Sequence, residues 1–106
     1  MMKRSFLYTF TFFLLFLFTA HFSWQEQVKR IDQKIENLKE MKLGYEARAL
    51  RHENTGQRLQ FNDREFLEAK RHFQLAEENR KIASEIQFEI DLLQVEKEEI
   101  LKKHAR

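Results

Sequence analysis

Residues 28–38 read VKRIDQKIENL, and their apolar residues fall on one face of a helix. Val28, Ile31, Ile35 and Leu38 are spaced three, four and three residues apart. This is the heptad pattern of a coiled-coil seam, with β-branched residues at its a positions. Charged side chains surround the stripe on the other faces. The pattern predicts a helix that pairs with another helix, and not one that is buried on all sides.

The rest of residues 25–106 is also predicted to be helical, because it lacks proline and is rich in Glu, Lys, Gln, Leu, Ala and Arg. A second stripe begins at Phe66 with the same spacing, and we expect it to shift register near Asn79. Asn79 either lies in the seam and specifies register or lies at its edge. The residues expected to form the seam with a partner helix are Val28, Ile31, Ile35, Leu38, Phe66, Phe73, Ile82, Ile86, Ile90 and Leu93.

A helix break is predicted in the middle of this region. Asn54, Thr55 and Gly56 are poor helix formers, and Gly56 suits a left-handed C-cap. Asn62 or Asp63 suits the N-cap of a following helix. The expected segments are a coiled-coil helix at 25–53, a break at 54–62 and a second amphipathic helix at 63–106. The alternatives are a hairpin folded at the break or one rod roughly 120 Å long that pairs with another chain.

The N-terminal stretch is predicted to be a transmembrane helix. No charged residue occurs between Ser5 and Gln25, and residues 6–24 as a helix would span roughly 28 Å, close to a bilayer's hydrocarbon core. Trp24 suits the membrane interface, as do Lys3 and Arg4 in a short cytosolic stub at 1–5. The expectation is an uncleaved signal anchor in the bacterial inner membrane, with the N terminus cytoplasmic and the C-terminal helices periplasmic.

A cleavable signal peptide is the alternative for this stretch. Its one plausible cleavage point follows Ala20, which puts the bulky Phe18 where a small residue is required. The anchor is therefore favoured, and in either case the helical tail is exported.

Composition argues against an enzyme. The chain has no cysteine and two glycines, which excludes disulfides, thiolate metal sites and glycine-rich phosphate loops. His52, His72 and His104 are candidate metal ligands, but among them only His72 has a carboxylate, Glu68, at ligand spacing. Charges in the tail balance, which disfavours nucleic-acid binding. We therefore expect no catalytic residue, no cofactor, no metal and no small-molecule substrate.

The layout resembles the bitopic bacterial cell-division proteins of the FtsL, FtsB and DivIC group. The residues that carry the resemblance are Lys3 and Arg4, the span Phe6–Trp24, and the heptads of Val28, Ile31, Ile35 and Leu38. The resemblance implies an all-α coiled-coil scaffold for septal peptidoglycan synthesis, which binds the bilayer and another coiled-coil membrane protein. A cleaved periplasmic hairpin adaptor or chaperone, gripping clients through Phe61, Phe66 and Phe73, and a phage spanin-like protein are the alternatives.

Overall fold

The protein folds into two long helices joined by a tight turn. The computed structural model describes the backbone of residues 2–105 and the side chains of residues 23–62 and 64–105. Helix α1 comprises Met2–Leu59, a single 3-10 turn follows at Asp63–Glu65, and helix α2 comprises Phe66–His104. The predicted all-α class is confirmed, and the two helices form a hairpin.

Cross-helix contacts fix an antiparallel register along the hairpin. Near its base, the Lys97 ammonium lies 2.6 Å from an Asp32 carboxylate oxygen. Farther along, the Lys42 ammonium donates to the Gln87 side-chain oxygen at 2.6 Å. Closer to the turn, Arg80 pairs with Glu53. As the residue number rises along α1, the number of its partner in α2 falls, which is the register of two antiparallel helices.

Each helix keeps one unbroken heptad series in the seam. The buried or half-buried seam positions are 28, 31, 35, 38, 42, 45, 49, 52, 56 and 59 in α1, and 69, 72, 76, 79, 83, 86, 90, 93, 97 and 100 in α2. Both series alternate steps of three and four residues throughout. The register shift expected near Asn79 is therefore wrong. The seam positions on either side of it are occupied by alanines, and the larger apolar side chains lie outside the seam.

The side chains buried in the seam are large near the base of the hairpin and small near the turn. In the half near the base, Ile31, Ile35, Ile86 and Ile90 form a buried cluster on which Leu38, Tyr45, Leu93 and Ile100 pack. In the half near the turn, the buried residues are Ala49, Gly56, Ala69, Ala76 and Ala83. Small side chains let two helices approach closely, since interaxial distance depends on the side chains at the contact.

The chain reverses direction later than the sequence suggests. Helix α1 continues through Asn54, Thr55 and Gly56 to Leu59, so the expected break at 54–62 begins too early. No described glycine has a positive φ, and the left-handed cap expected at Gly56 is wrong. Gly56 is glycine for a packing reason: a Cβ there would lie 2.9 Å from Cε1 of Phe73.

Asn62, one of the two residues expected to cap the second helix, caps the short 3-10 turn instead, and the N-cap of α2 is Glu65, which makes no side-chain capping bond. The Asn62 side chain accepts a hydrogen bond from the Arg64 backbone N–H at 3.2 Å, which caps the 3-10 turn. The Glu65 N–H donates to the Asn62 carbonyl at 2.9 Å. These bonds satisfy backbone groups that the helix ends leave free.

The expected transmembrane span at 6–24 lies, apart from Ser23 and Trp24, outside the residues whose side chains are described. In the part of the chain that the structure describes, no helix is both long and apolar enough to cross a bilayer.

Candidate functional site

The stripe predicted to bind a partner helix is covered by the second arm of the same chain. Ile31 and Ile35 are buried, and Val28 and Leu38 are half-buried. Their cluster partners in α2 include Ile86, Ile90 and Leu93. Of the other expected seam residues, Phe73 is half-buried, whereas Phe66 and Ile82 are 62% and 37% exposed. Phe66 and Ile82 flank the heptad positions that Ala69 and Ala83 occupy, so they lie beside the seam.

Asn79 lies at a half-buried heptad position, but its amide does not reach across the seam. It donates to the Leu75 carbonyl of its own helix at 2.7 Å. This local bond satisfies the polar group inside one helix. The helix register is therefore specified by other contacts.

The turn carries an apolar tip. Phe61, Phe66 and Leu67 are 84%, 62% and 79% exposed. Beside Phe66, an open groove of about 240 Å³ runs toward Phe73; it is lined by Gln60, Phe66, Ala69, Lys70, Phe73, Gln74 and Glu77. Exposed aromatic side chains in a group are typical of surfaces that contact another molecule.

Two histidines meet across the seam near the tip. Nδ1 of His52 lies 3.0 Å from Nδ1 of His72, and their ring planes are tilted by 32°. An N–H···N hydrogen bond at this distance needs one nitrogen to donate and the other to accept. Arg48, Arg51 and Thr55 line an open cleft of about 360 Å³ beside the pair.

This pairing was missed from the sequence because the two histidines belong to different arms. The contact between the two histidines can be inferred once the antiparallel register is known, since both residues occupy seam positions. The cleft is cationic through its arginines and does not complete a metal site. Among the described side chains, no three potential ligands of the His, Cys, Asp or Glu types converge.

The base of the hairpin is closed by an aromatic contact. The rings of Trp24 and His104 stack with centroids 4.9 Å apart. Trp24, expected at a membrane interface, therefore also contacts the end of α2. The side chains of Lys3 and Arg4, the other expected interface residues, lie outside the described set.

The outer face of α2 carries a third feature, an apolar stripe unrelated to the seam. Phe88, Leu92 and Val95 are spaced four and three residues apart and are 65%, 55% and 52% exposed. Their helical spacing was readable in the sequence, but the seam residues Ile86, Ile90 and Leu93 interleave with them and conceal the second periodicity.

Comparison with known proteins gives no relative: the chain matches no protein-family model, no curated protein and no solved structure. The functional argument therefore depends on the hairpin and its surfaces.

Proposed function

We propose that this chain is a non-enzymatic membrane scaffold whose residues 6–24 anchor a closed helical hairpin. The observation that carries the proposal is the continuity of α1, which extends from Met2 to Leu59 as one helix. The charge-free stretch and the first arm of the hairpin thus share a single helix. At about 1.5 Å per residue, the path from Trp24 to Leu59 is roughly 50 Å. The anchor would therefore hold the apolar tip at that distance from the bilayer.

The proposed orientation follows from the charges at the N terminus. Lys3 and Arg4 precede the apolar stretch, and basic residues favour the cytoplasmic side. The hairpin would then lie on the extracytoplasmic side of a bacterial inner membrane. Trp24, stacked on His104 where the apolar stretch ends, supports a base that sits at the membrane interface.

The closed seam restricts the surfaces through which the proposed scaffold can bind a partner. In a division protein that pairs through its coiled coil, the Val28–Leu38 stripe would contact a sister protein. Here that stripe packs on α2 of its own chain. A partner in the septal complex would instead bind the outer faces or the tip. The layout of stub, span and adjoining helix supports membership of that complex.

Membrane extraction tests the anchor. The full chain should stay in the membrane fraction at alkaline pH, and its intact mass should include residues 1–20. A mature chain that starts at His21 would contradict the anchor and favour the second candidate, a released hairpin adaptor. The closed seam and the exposed Phe61 and Phe66 are the features that support this second candidate.

Localisation tests the division role separately. A fluorescent protein fused before Met1 should form a band at the septum of dividing bacteria. A uniform peripheral signal would retain the anchor and remove the division role.

A further inference from the structure

The outer face of α2 combines exposed apolar side chains with a uniformly acidic border. Phe88, Leu92 and Val95 form a stripe at positions i, i+4 and i+7, which share one helix face. All three point away from the seam and are more than half exposed. The hairpin therefore does not explain why these positions are apolar.

Six carboxylates surround this stripe. The residues three or four positions from its members, apart from the stripe itself and Ser84, are all acidic. They are Glu85, Glu89, Asp91, Glu96, Glu98 and Glu99. All six are exposed. Between residues 85 and 99 the one cation is Lys97, and its ammonium is directed to Asp32 across the seam.

Lys81, Lys102 and Lys103 lie one turn from Glu85, Glu98 and Glu99 at the two ends of the border, whereas Glu89, Asp91 and Glu96 at its centre have no Lys or Arg at that spacing. Among the described side chains, none of the six carboxylates forms an ion pair, although Asp91 accepts a hydrogen bond from Gln87 at 2.9 Å. Glu85 and Glu89 are one helical turn apart, and like charges at that spacing destabilise a helix. A partner of opposite charge would relieve this repulsion.

From this juxtaposition we propose that the Phe88–Leu92–Val95 face docks a basic amphipathic helix of another protein. Such a helix presents apolar residues at i, i+4 and i+7 to the stripe and Lys or Arg to the carboxylates, as in other helix-on-helix recognition. A second copy of this same face would bring two acidic borders together, and an anionic lipid surface would be repelled. Complementary charge selects the basic helix.

This proposal rests on the scaffold function and assigns it a class of partner. Its test is nevertheless independent of the anchor, because it reads the environment of the α2 face. The chain has no cysteine, so Ser84→Cys in the full-length protein in zwitterionic nanodiscs provides a single attachment point for a polarity-sensitive dye. Ser84 is exposed and lies one turn before Phe88.

The probe is a synthetic 21-residue helix of Leu and Lys in heptads, and a peptide with Glu in place of Lys is its control. The dye should shift to the blue with the Lys peptide, with an affinity that weakens as NaCl is raised from 50 to 500 mM. Combining Phe88→Ser with Leu92→Ser should weaken the affinity by about tenfold or more. Leu43→Ser with Leu50→Ser, at exposed positions of α1, should leave it unchanged.

Three results would overturn the proposal. The first is the absence of a shift with the Lys peptide, and the second is equal binding of the Glu peptide. The third is a shift that grows with protein concentration alone, which would assign the face to a second copy. Circular dichroism confirms that each serine variant retains its helix content, so a lost signal reports on docking. Extraction from the membrane is scored separately and leaves this result unaffected.

Discussion

The indole ring of Trp24 stacks on the imidazole ring of His104, with 4.9 Å between centroids and 6° between ring planes. One residue precedes the hairpin's first apolar seam position, and the other ends α2. Their contact exists because the second arm returns to the base of the first. A single rod of the same sequence would place them more than about 100 Å apart.

This contact makes Trp24 a reporter of hairpin closure, since it is the single tryptophan of the chain. We expect His104→Ala to uncover one face of the indole and to raise the rate at which acrylamide quenches its fluorescence. Lys103→Ala, one residue away and exposed, is the matched control and should leave quenching unchanged. Equal quenching in the parent and in His104→Ala would show that the base is open in solution.

The two glycines of the chain should respond to alanine in opposite ways. A Cβ at Gly44 would contact nothing within 4 Å, so Gly44→Ala should gain helix propensity and raise the free energy of unfolding by up to about 1 kcal/mol. A Cβ at Gly56 would lie 2.9 to 3.1 Å from three ring atoms of Phe73. Overpacking costs about 1–3 kcal/mol, so Gly56→Ala should lower the free energy of unfolding by about 1 kcal/mol net.

Removing the Phe73 ring should reverse the sign at Gly56. In a Phe73→Ala background, Gly56→Ala should stabilise the hairpin about as much as Gly44→Ala does. Urea titrations followed by circular dichroism measure all four variants. A stabilising Gly56→Ala in the parent chain would mean that the ring does not lie over this glycine.

Ile90 should contribute more to stability than any exposed isoleucine, because it is 1% exposed within the cluster at the base. Ile90→Ala should lower the free energy of unfolding by about 2–5 kcal/mol, the range for large-to-small changes in a core. Ile82→Ala removes the same atoms at a position that is 37% exposed and should cost less than about 1 kcal/mol. Similar costs at the two positions in a urea titration would refute the alanine register assigned to α2.

The His52–His72 contact should appear as an energetic coupling between the two arms. Each single alanine variant leaves the other imidazole half-buried and without its partner, at a cost of about 0.5–1.5 kcal/mol. The double variant should cost less than the sum of the singles, by about 0.5 kcal/mol or more. His52→Ala combined with His104→Ala is the control pair and should be additive, since these residues lie at opposite ends of the hairpin.

The helical class and the heptads of α1 were predictable because Val28, Ile31, Ile35 and Leu38 have no competing periodicity. In α2, two apolar stripes overlap. The larger side chains of Phe66, Ile82 and Phe88 give a stronger hydrophobic signal than the alanines that form the seam. Hydrophobicity favours large residues, whereas close helix packing favours small ones, and only the register of the facing helix decides between them.

The position of the turn was predictable only within a few residues. Asn54, Thr55 and Gly56 have low intrinsic helix propensity, yet α1 continues through them. Gly56 fits beneath the Phe73 ring of α2, and this tertiary contact outweighs the low propensity, while the Thr55 hydroxyl donates to the Arg51 carbonyl of its own helix at 2.9 Å. The contact between Gly56 and Phe73 is not visible before the second arm is in place. The same holds for the histidine pair, which required knowledge of the fold.

The uneven seam has a consequence for the order of folding. The isoleucine cluster that unites Ile31 and Ile35 with Ile86 and Ile90 joins residues far apart in sequence, so forming it first would close a long loop. The contacts near the turn are local, but they bury mainly alanine and glycine and offer little hydrophobic gain. We therefore expect the weaker contacts near the turn to form before the isoleucine cluster. With this order of folding, stabilising substitutions in the alanine half should accelerate folding, while those at the isoleucine cluster should chiefly slow unfolding.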